Sequence, residues 1–347
     1  MSKTSNKKTN LGQFYTTNYK YILQNLKIPE YIKTVVEPFA GEGDLINFIQ
    51  NKNIKNECYD IDPKKEFINK RDTLKNPPLY DNKFVLTNPP FLARNKSKDK
   101  SIFDLYNEND LYKCFIKSII NTNIQGGILI IPLNFWCSIR INDIKLREIF
   151  LEKFNVIHMN IFEERVFDDT SYTTCSFIFE SKKKKKSPMI SCTIYPLKKT
   201  INICLNKANN FIIGGEIYNL SKNKKINVER ATHINNKSKG LTNILLKCID
   251  DNINSKIGLS IVENTDRYID NTPNLTARSY ATLIITPEIS LEKQKNIVEK
   301  FNIYLNEQRE KYNSLFLTNY RESNSIARKR ISFKLAFDIV NYLLSTL

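Results

Sequence analysis

Three short stretches of the 347-residue chain carry residue types able to act together on one ligand. Phe84-Val85-Leu86-Thr87-Asn88-Pro89-Pro90-Phe91 is an apolar run ending in two prolines. Proline lacks an N–H and fixes φ, so the chain must leave a sheet here on a stiff loop. A strand terminator needs no more explanation than that. The same loop also fits a chemical role: the Asn88 side-chain oxygen and the Pro89 carbonyl are two acceptors held close together. Such a pair can bind both hydrogens of an amine and leave its lone pair aimed at an electrophile, with Phe91 offering a stacking face to a planar base.

The second stretch, Val35-Val36-Glu37-Pro38-Phe39-Ala40-Gly41-Glu42-Gly43, reads as a strand entering a glycine turn. Glycine reaches positive φ cheaply and lets a ligand approach the backbone; alone, a GxG is as readily a structural turn. The third, Tyr59-Asp60-Ile61-Asp62-Pro63, brings an acidic strand end about 20 residues on. A carboxylate there can accept both ribose hydroxyls of a nucleoside lying over adjacent strand ends. The third glycine of GxGxxG is missing, so a cofactor without a pyrophosphate fits better.

These residues need a sheet to position them. Between residues 33 and 180 short apolar runs alternate with longer amphipathic stretches, the pattern of a parallel sheet covered by helices. Strands are expected at 34–37, 57–59, 84–87, 127–131, 155–160 and 172–180, and helices at 44–50, 63–70, 110–122 and 142–154. In the third helix Leu111, Phe115, Ile116 and Ile119 share one face. The lysine run 182–186 with Ser187-Pro188 ends the pattern, as a linker or as a phosphate-contacting loop. Beyond it, 189–220 reads as short strands and turns. Helices at 291–313 and 331–344 close the chain, the last with Ile331, Leu335, Ile339 and Leu343 on a buried stripe.

Length suggests two domains. With 53 Lys plus Arg against 36 Asp plus Glu the formal charge is +17, which favours a polyanionic partner; a base-composition bias in the coding DNA explains the same excess. Seven cysteines without a CxxC pair fit reduced thiols, and neither a disulfide framework nor a metal site is expected. The N-terminus lacks an apolar core, and no run approaches about 18 apolar residues. A soluble, intracellular and hence cytoplasmic protein without membrane partners is the expectation.

Taken in order, Gly12-Gln13-Phe14-Tyr15-Thr16-Thr17, 37–43, 60–63 and Asn88-Pro89-Pro90-Phe91 resemble the gamma-class N6-adenine DNA methyltransferases of restriction-modification systems. The resemblance covers about half of the chain residue by residue. It implies a class I S-adenosylmethionine-dependent methyltransferase fold, Rossmann-like with a mixed, mostly parallel sheet, followed by a C-terminal α+β target-recognition domain. The division expected is 1–185 for the catalytic domain and 186–347 for DNA recognition.

By that resemblance Thr16, Glu37, Phe39, Gly41, Gly43, Asp60, Ile61 and Asp72 hold S-adenosylmethionine. Thr16 stands near its methionine carboxylate, Asp60 at the ribose, and Asp72 at the adenine amine, with Ile61 and Pro90 covering the ring. Asn88, Pro89, Pro90 and Phe91 form the catalytic loop. Gly126-Gly127-Ile128-Leu129-Ile130-Ile131-Pro132 is similar to the family's next strand motif, and Val166-Phe167-Asp168-Asp169-Thr170-Ser171-Tyr172 to a later one. Phe167 fits packing against a flipped base opposite Phe91 and fits a core position equally. Neither His158 nor His233 is assigned a role.

In the second half Arg321, Arg328, Lys329 and Arg330 are candidates for DNA contacts, with Arg267-Tyr268 and Arg278-Ser279-Tyr280 as further ones. Residues 315–321 are similar to a stretch in methylases of short palindromic sites such as CATG. The implied partners are double-stranded DNA and a cognate restriction endonuclease acting as a separate protein. Two rival readings stay open. Asn-Pro-Pro-Phe, where many family members carry Tyr, is also similar to RNA adenine-N6 and guanine-N2 methyltransferases. A DNA-binding module with a decayed methyltransferase domain is the other.

Overall fold

The computed structural model describes residues 16–49, 53–167, 172–182, 189–250, 256–319 and 328–347. Residues 12–15, 168–171, 183–188 and Arg321, all named above, lie outside them. The chain divides into two compact units, Met1–Leu205 and Asn206–Leu347.

The first unit is built on a nine-stranded sheet. In chain order its strands are β1 (Thr34–Glu37), β2 (Lys55–Asp60), β3 (Ile68–Lys70), β4 (Phe84–Thr87), β5 (Gly126–Pro132), β6 (Phe154–Phe162), β7 (Thr174–Ser181), β8 (Met189–Tyr195) and β9 (Lys199–Cys204). Their spatial order is β3-β2-β1-β4-β5-β7-β6-β8-β9. Strands β3, β2, β1, β4 and β5 are mutually parallel, β7 runs antiparallel between β5 and β6, and β8 returns parallel to β6. This is the expected mixed, mostly parallel α/β architecture.

Central strands β4 and β5 are buried along their whole length, as β-branched and aromatic runs covered on both faces must be. Short α1 (Tyr19–Ile22), α2 (Ser101–Tyr106), α3 (Leu111–Ile120), α4 (Asn134–Cys137) and α5 (Ile141–Lys153) supply the flanking elements. The α3 stripe is buried as expected, with Phe115, Ile116 and Ile119 fully enclosed.

Three expectations need correction. Residues 63–70 do not form a helix: the chain makes a single turn, Ile68 N–H to the Lys65 carbonyl, and enters β3. Ile68 is the reason: it is buried beside Ala40 and Cys58, and residues 68–70 pair in parallel with Cys58, Tyr59 and Asp60 of β2. Asp44–Phe48 is a 3-10 turn rather than an α-helix. Finally, the large sheet continues through β8 and β9, so the first unit runs to Leu205 rather than to 185.

The second unit carries a four-stranded antiparallel sheet of β10 (Asn227–Arg230), β13 (Tyr280–Thr286), β11 (Leu241–Lys247) and β12 (Gly258–Ile261), in that spatial order. Helices α6 (Leu291–Lys311) and α7 (Phe333–Ser345) pack on it. Ile297, Phe301 and Leu305 of α6 meet Leu335, Ile339 and Val340 of α7 over Ile244, Leu246 and Leu283 of the sheet. Ser290 and Ser332 cap the two helices through the amides of Lys293 and Leu335, satisfying N–H groups that would otherwise have no partner. No helix among the described residues is long and apolar enough to cross a membrane.

Candidate functional site

The loops that follow β1, β2 and β4 open at one edge of the first sheet. Strands β1 and β4 are neighbours, yet the chain leaves β1 toward β2 and leaves β4 toward β5. Ligands of open α/β sheets bind in the crevice where the winding reverses in this way. A cavity of about 160 Å³ lies there, room for an organic ligand rather than a single water.

Most residues that the sequence singles out line this one cavity: Thr16, Glu37, Phe39, Gly41, Asp60, Ile61, Asp72, Asn88 and Pro90. They come from segments up to 74 positions apart, as Thr16 and Pro90 are, and only the sheet joins them. Gly41 has φ 55° and its N–H donates to Asp60 Oδ2 at 2.8 Å, while the Asp62 N–H donates to Asp60 Oδ1 at 2.8 Å. The Asp60 carboxylate therefore pins the glycine turn to the end of β2. Each oxygen keeps acceptor capacity for a further hydroxyl.

Asn88 is 8% exposed and its Nδ2 donates to Thr16 Oγ1 at 3.1 Å. This bond orients the amide, with Oδ1 at its other end as the acceptor. Beyond Pro90 the loop is anchored by the Leu111 N–H to the Leu92 carbonyl and the Arg94 N–H to the Asn109 carbonyl. An antiparallel bridge between Ala93 and Asp110 lies between them. Asp72 Oδ1 accepts from the amides of Leu74 and Lys75, and Thr73 Oγ1 donates to the Pro38 carbonyl, tying this wall to the end of β1.

The cavity wall is acidic and desolvated. Glu37, 1% exposed, has its Oε2 buried without a hydrogen-bond partner, and burial, reinforced by Asp44 and Asp60, pushes its carboxyl well above the usual range. Burial also raises Asp44, with Glu42 adding to the effect and Lys65 opposing it. Buried unpaired carboxylates are costly, so these groups favour a proton or a cationic partner.

One glycine, two aromatics and a proline fall elsewhere. Gly43 has φ 79°, but a Cβ there would stand 2.7 Å from Phe67 Cζ, so its role is a turn packed under Phe67 rather than a cavity wall. Phe91 is 4% exposed and meets Tyr112 edge-on at 6.1 Å, its ring turned inward. Phe167 sits in the core with Phe162, Ile178 and Tyr195. Pro89 is buried in the loop.

Sequence reasoning missed Asp44, Arg71 and Leu74 on the wall, and also Ile102 and Leu111. Arg71 was legible only as the neighbour of Asp72; its guanidinium lies 5.1 Å over the Tyr59 ring. It also missed Asp110 behind the loop. Burial raises that carboxyl to about 7 against the opposing pull of Lys113 and of the Tyr112, Leu92 and Leu111 amides.

In the second unit Arg330 lines an open groove with Arg230, Arg278 and Phe333. Arg230 is held there by the carbonyls of Ala277 and Leu275 and by Asp270, its guanidinium over the Phe333 ring. Arg278 is exposed. Arg328 is half-buried, and its Nε has no hydrogen-bond partner among the described residues. Arg267 is engaged by Asn243 Oδ1.

No protein-family profile and no curated protein matches the chain. Solved structures similar to it include the type I restriction-modification system methyltransferase subunit from Streptococcus thermophilus, at 13% identity over 53% of this chain and 48% of that one, TM-score 0.40. The type I restriction enzyme EcoKI M protein aligns at 12% identity over 98% of this chain and 72% of that one, TM-score 0.39. The DrdV–DNA complex aligns at 14% identity over 71% and 36%, TM-score 0.43. The chain spans about half the length of the first of these. At such identities and TM-scores the likeness carries no argument about activity, which has to come from the cavity's own residues.

Proposed function

We propose that the chain is an S-adenosylmethionine-dependent DNA methyltransferase that modifies the N6 amine of adenine. The observation that carries this reading is the convergence of the Gly41 turn, Asp60, Asn88 and Pro90 on one cavity at the winding reversal of the sheet. The wall also suits a cationic nucleoside by its chemistry: Glu37 Oε2 is a buried acceptor without a partner, beside Asp44 and Asp60.

In this reading Asp60 receives the ribose hydroxyls, Asp72 the adenine amine, and Ile61 and Pro90 cover the ring. The bound cofactor supplies the electrophilic methyl. The protein's part is positioning. Asn88, fixed by Thr16, and the Pro89 carbonyl accept the two hydrogens of the target amine and direct its lone pair. Orientation of this kind supplies much of the acceleration when no covalent intermediate forms. An adenine in a duplex has to leave the stack to reach such a loop. Arg328, Arg330 and Arg278 of the second unit are assigned to DNA contacts, most of them to phosphate. Contribution of Phe91 or Phe167 to base stacking requires their buried rings to be uncovered, so Asn88 and Pro89 carry the assignment. A CATG-like site and a separate cognate endonuclease belong to the same reading.

The test is incubation of the protein with cofactor and either unmethylated duplex DNA or structured RNA, followed by identification of the modified base and its sequence context. N6-methyladenine in DNA at a fixed sequence is expected. Transfer to RNA in preference to DNA, or none to either, overturns the reading.

A further inference from the structure

Glu37 is the most isolated ionisable group in the cavity. It ends β1, is 1% exposed and lines the cavity, with Oε2 buried and unbonded. Asp44 faces it from the turn after β1, and Asp60 and the Cys58 thiol from β2. Asp72 and Arg71 line the wall from the segment after β3. Asp60 is committed to the amides of Gly41 and Asp62, and Lys65 offsets Asp44. Among the described residues no ion pair reaches Glu37 and nothing compensates its charge.

We propose that Glu37 makes the cavity respond to the charge of its occupant: a sulfonium nucleoside is taken up with release of one proton from the Glu37 carboxyl, and the thioether left after transfer is not held by that charge. The inference rests on the cofactor reading above. The balance is simple. The neutral carboxyl gives its O–H proton to solvent, and the carboxylate remains opposite a ligand with one more positive charge than its thioether counterpart. After methyl transfer that extra charge is gone and the carboxylate recovers a proton from solvent. A desolvated carboxyl among like charges favours its neutral form until a cation arrives, and desolvation strengthens the pairing once it has formed. The device would favour exchange of spent for fresh cofactor without a moving lid.

Isothermal titration of the intact chain with S-adenosylmethionine and with S-adenosylhomocysteine, at neutral pH in buffers of differing ionisation enthalpy, reads the proton directly. About one proton released per sulfonium ligand and clearly less for the thioether are expected. Glu37→Gln should abolish the release and weaken the sulfonium ligand at least about 30-fold, the loss typical of a truncated buried charge pair. The thioether should be affected far less. Asp44→Asn gives a second variant: with one neighbouring negative charge removed, the range of proton release moves to lower pH. Sulfonium binding with identical heats in all buffers overturns the coupling and leaves the cofactor reading intact. Absence of binding by either ligand overturns both.

Discussion

The bond from Asn88 Nδ2 to Thr16 Oγ1 ties the catalytic loop to a residue 72 positions away and sets which end of the amide is left as the acceptor. Thr16→Val keeps the shape and removes the acceptor. Both partners are nearly enclosed, Thr16 at 4% and Asn88 at 8%, so water cannot readily replace the lost hydroxyl. A buried donor left unsatisfied costs about 1–3 kcal/mol. If that cost falls on the oriented state needed for transfer, kcat drops about 5- to 150-fold. Single-turnover methyl transfer to duplex DNA, with cofactor affinity measured separately, resolves where the cost appears. Asn88→Ala should reduce transfer to a small residual rate and leave cofactor and DNA binding in place. Thr16→Val added to Asn88→Ala should then change residual transfer no further, because the amide it orients is gone. Equal effects of Thr16→Val in both backgrounds, or an effect confined to cofactor affinity, would refute orientation of Asn88 as the role of Thr16.

Three other outcomes follow from charges in the structure. Lys113 and Asp143 form an ion pair with side chains 6% and 3% exposed, so Lys113→Met should destabilise the first unit by about 3–5 kcal/mol in denaturant unfolding, and Asp143→Leu added to it should recover much of the loss. Recovery of nothing would show that packing rather than charge is lost. Asp110, raised to about 7, binds a proton more tightly folded than unfolded, so its stabilising contribution is complete at acid pH and vanishes as pH rises through about 7. Melting curves between pH 5 and 8 should therefore slope downward and flatten in Asp110→Asn; an unchanged slope removes Asp110 as the cause. With a formal charge of +17, affinity for duplex DNA should fall steeply with salt, each neutralised phosphate adding about −0.9 to the logarithmic slope. A flat response in a binding titration would direct the charge to another partner.

Strand ends were legible where residue type changes abruptly. Both β1 and β4 coincide with their expected limits because Val35-Val36 and Val85-Leu86 are followed at once by polar or proline-containing turns. Side-chain direction was less legible. In 63–70 the adjacent apolar pair Phe67-Ile68 satisfies a helix pattern, yet only Ile68 is buried, and its neighbours on β2 are what make it a strand. Gly43 shares the positive φ of Gly41, but the contact that explains it is Phe67, a residue that no local motif links to it. The sheet extension at β8 and β9 was hidden because the lysine run at 182–186 has the composition of a linker, whereas parallel pairing to β6 is a long-range choice.

Glu37 and Phe91 show the same limit with consequences for chemistry. As sequence, Glu37 is one more acidic residue after a valine strand; its distinctive property is the lack of a partner, which depends on what Asp44, Asp60 and the glycine turn do with their own hydrogen-bonding groups. Phe91 follows two prolines and reads as an outward face. The structure turns it onto Tyr112 at the start of α3, the same helix whose first residue, Leu111, lines the cavity. The loop is therefore held from both ends: by Thr16 at Asn88 and by α3 at Phe91 and Leu92. Two prolines restrict only the torsions between those anchors. It is the anchors, drawn from segments far apart in the chain, that convert a stiff tetrapeptide into one with a fixed direction, and direction is what amine positioning requires.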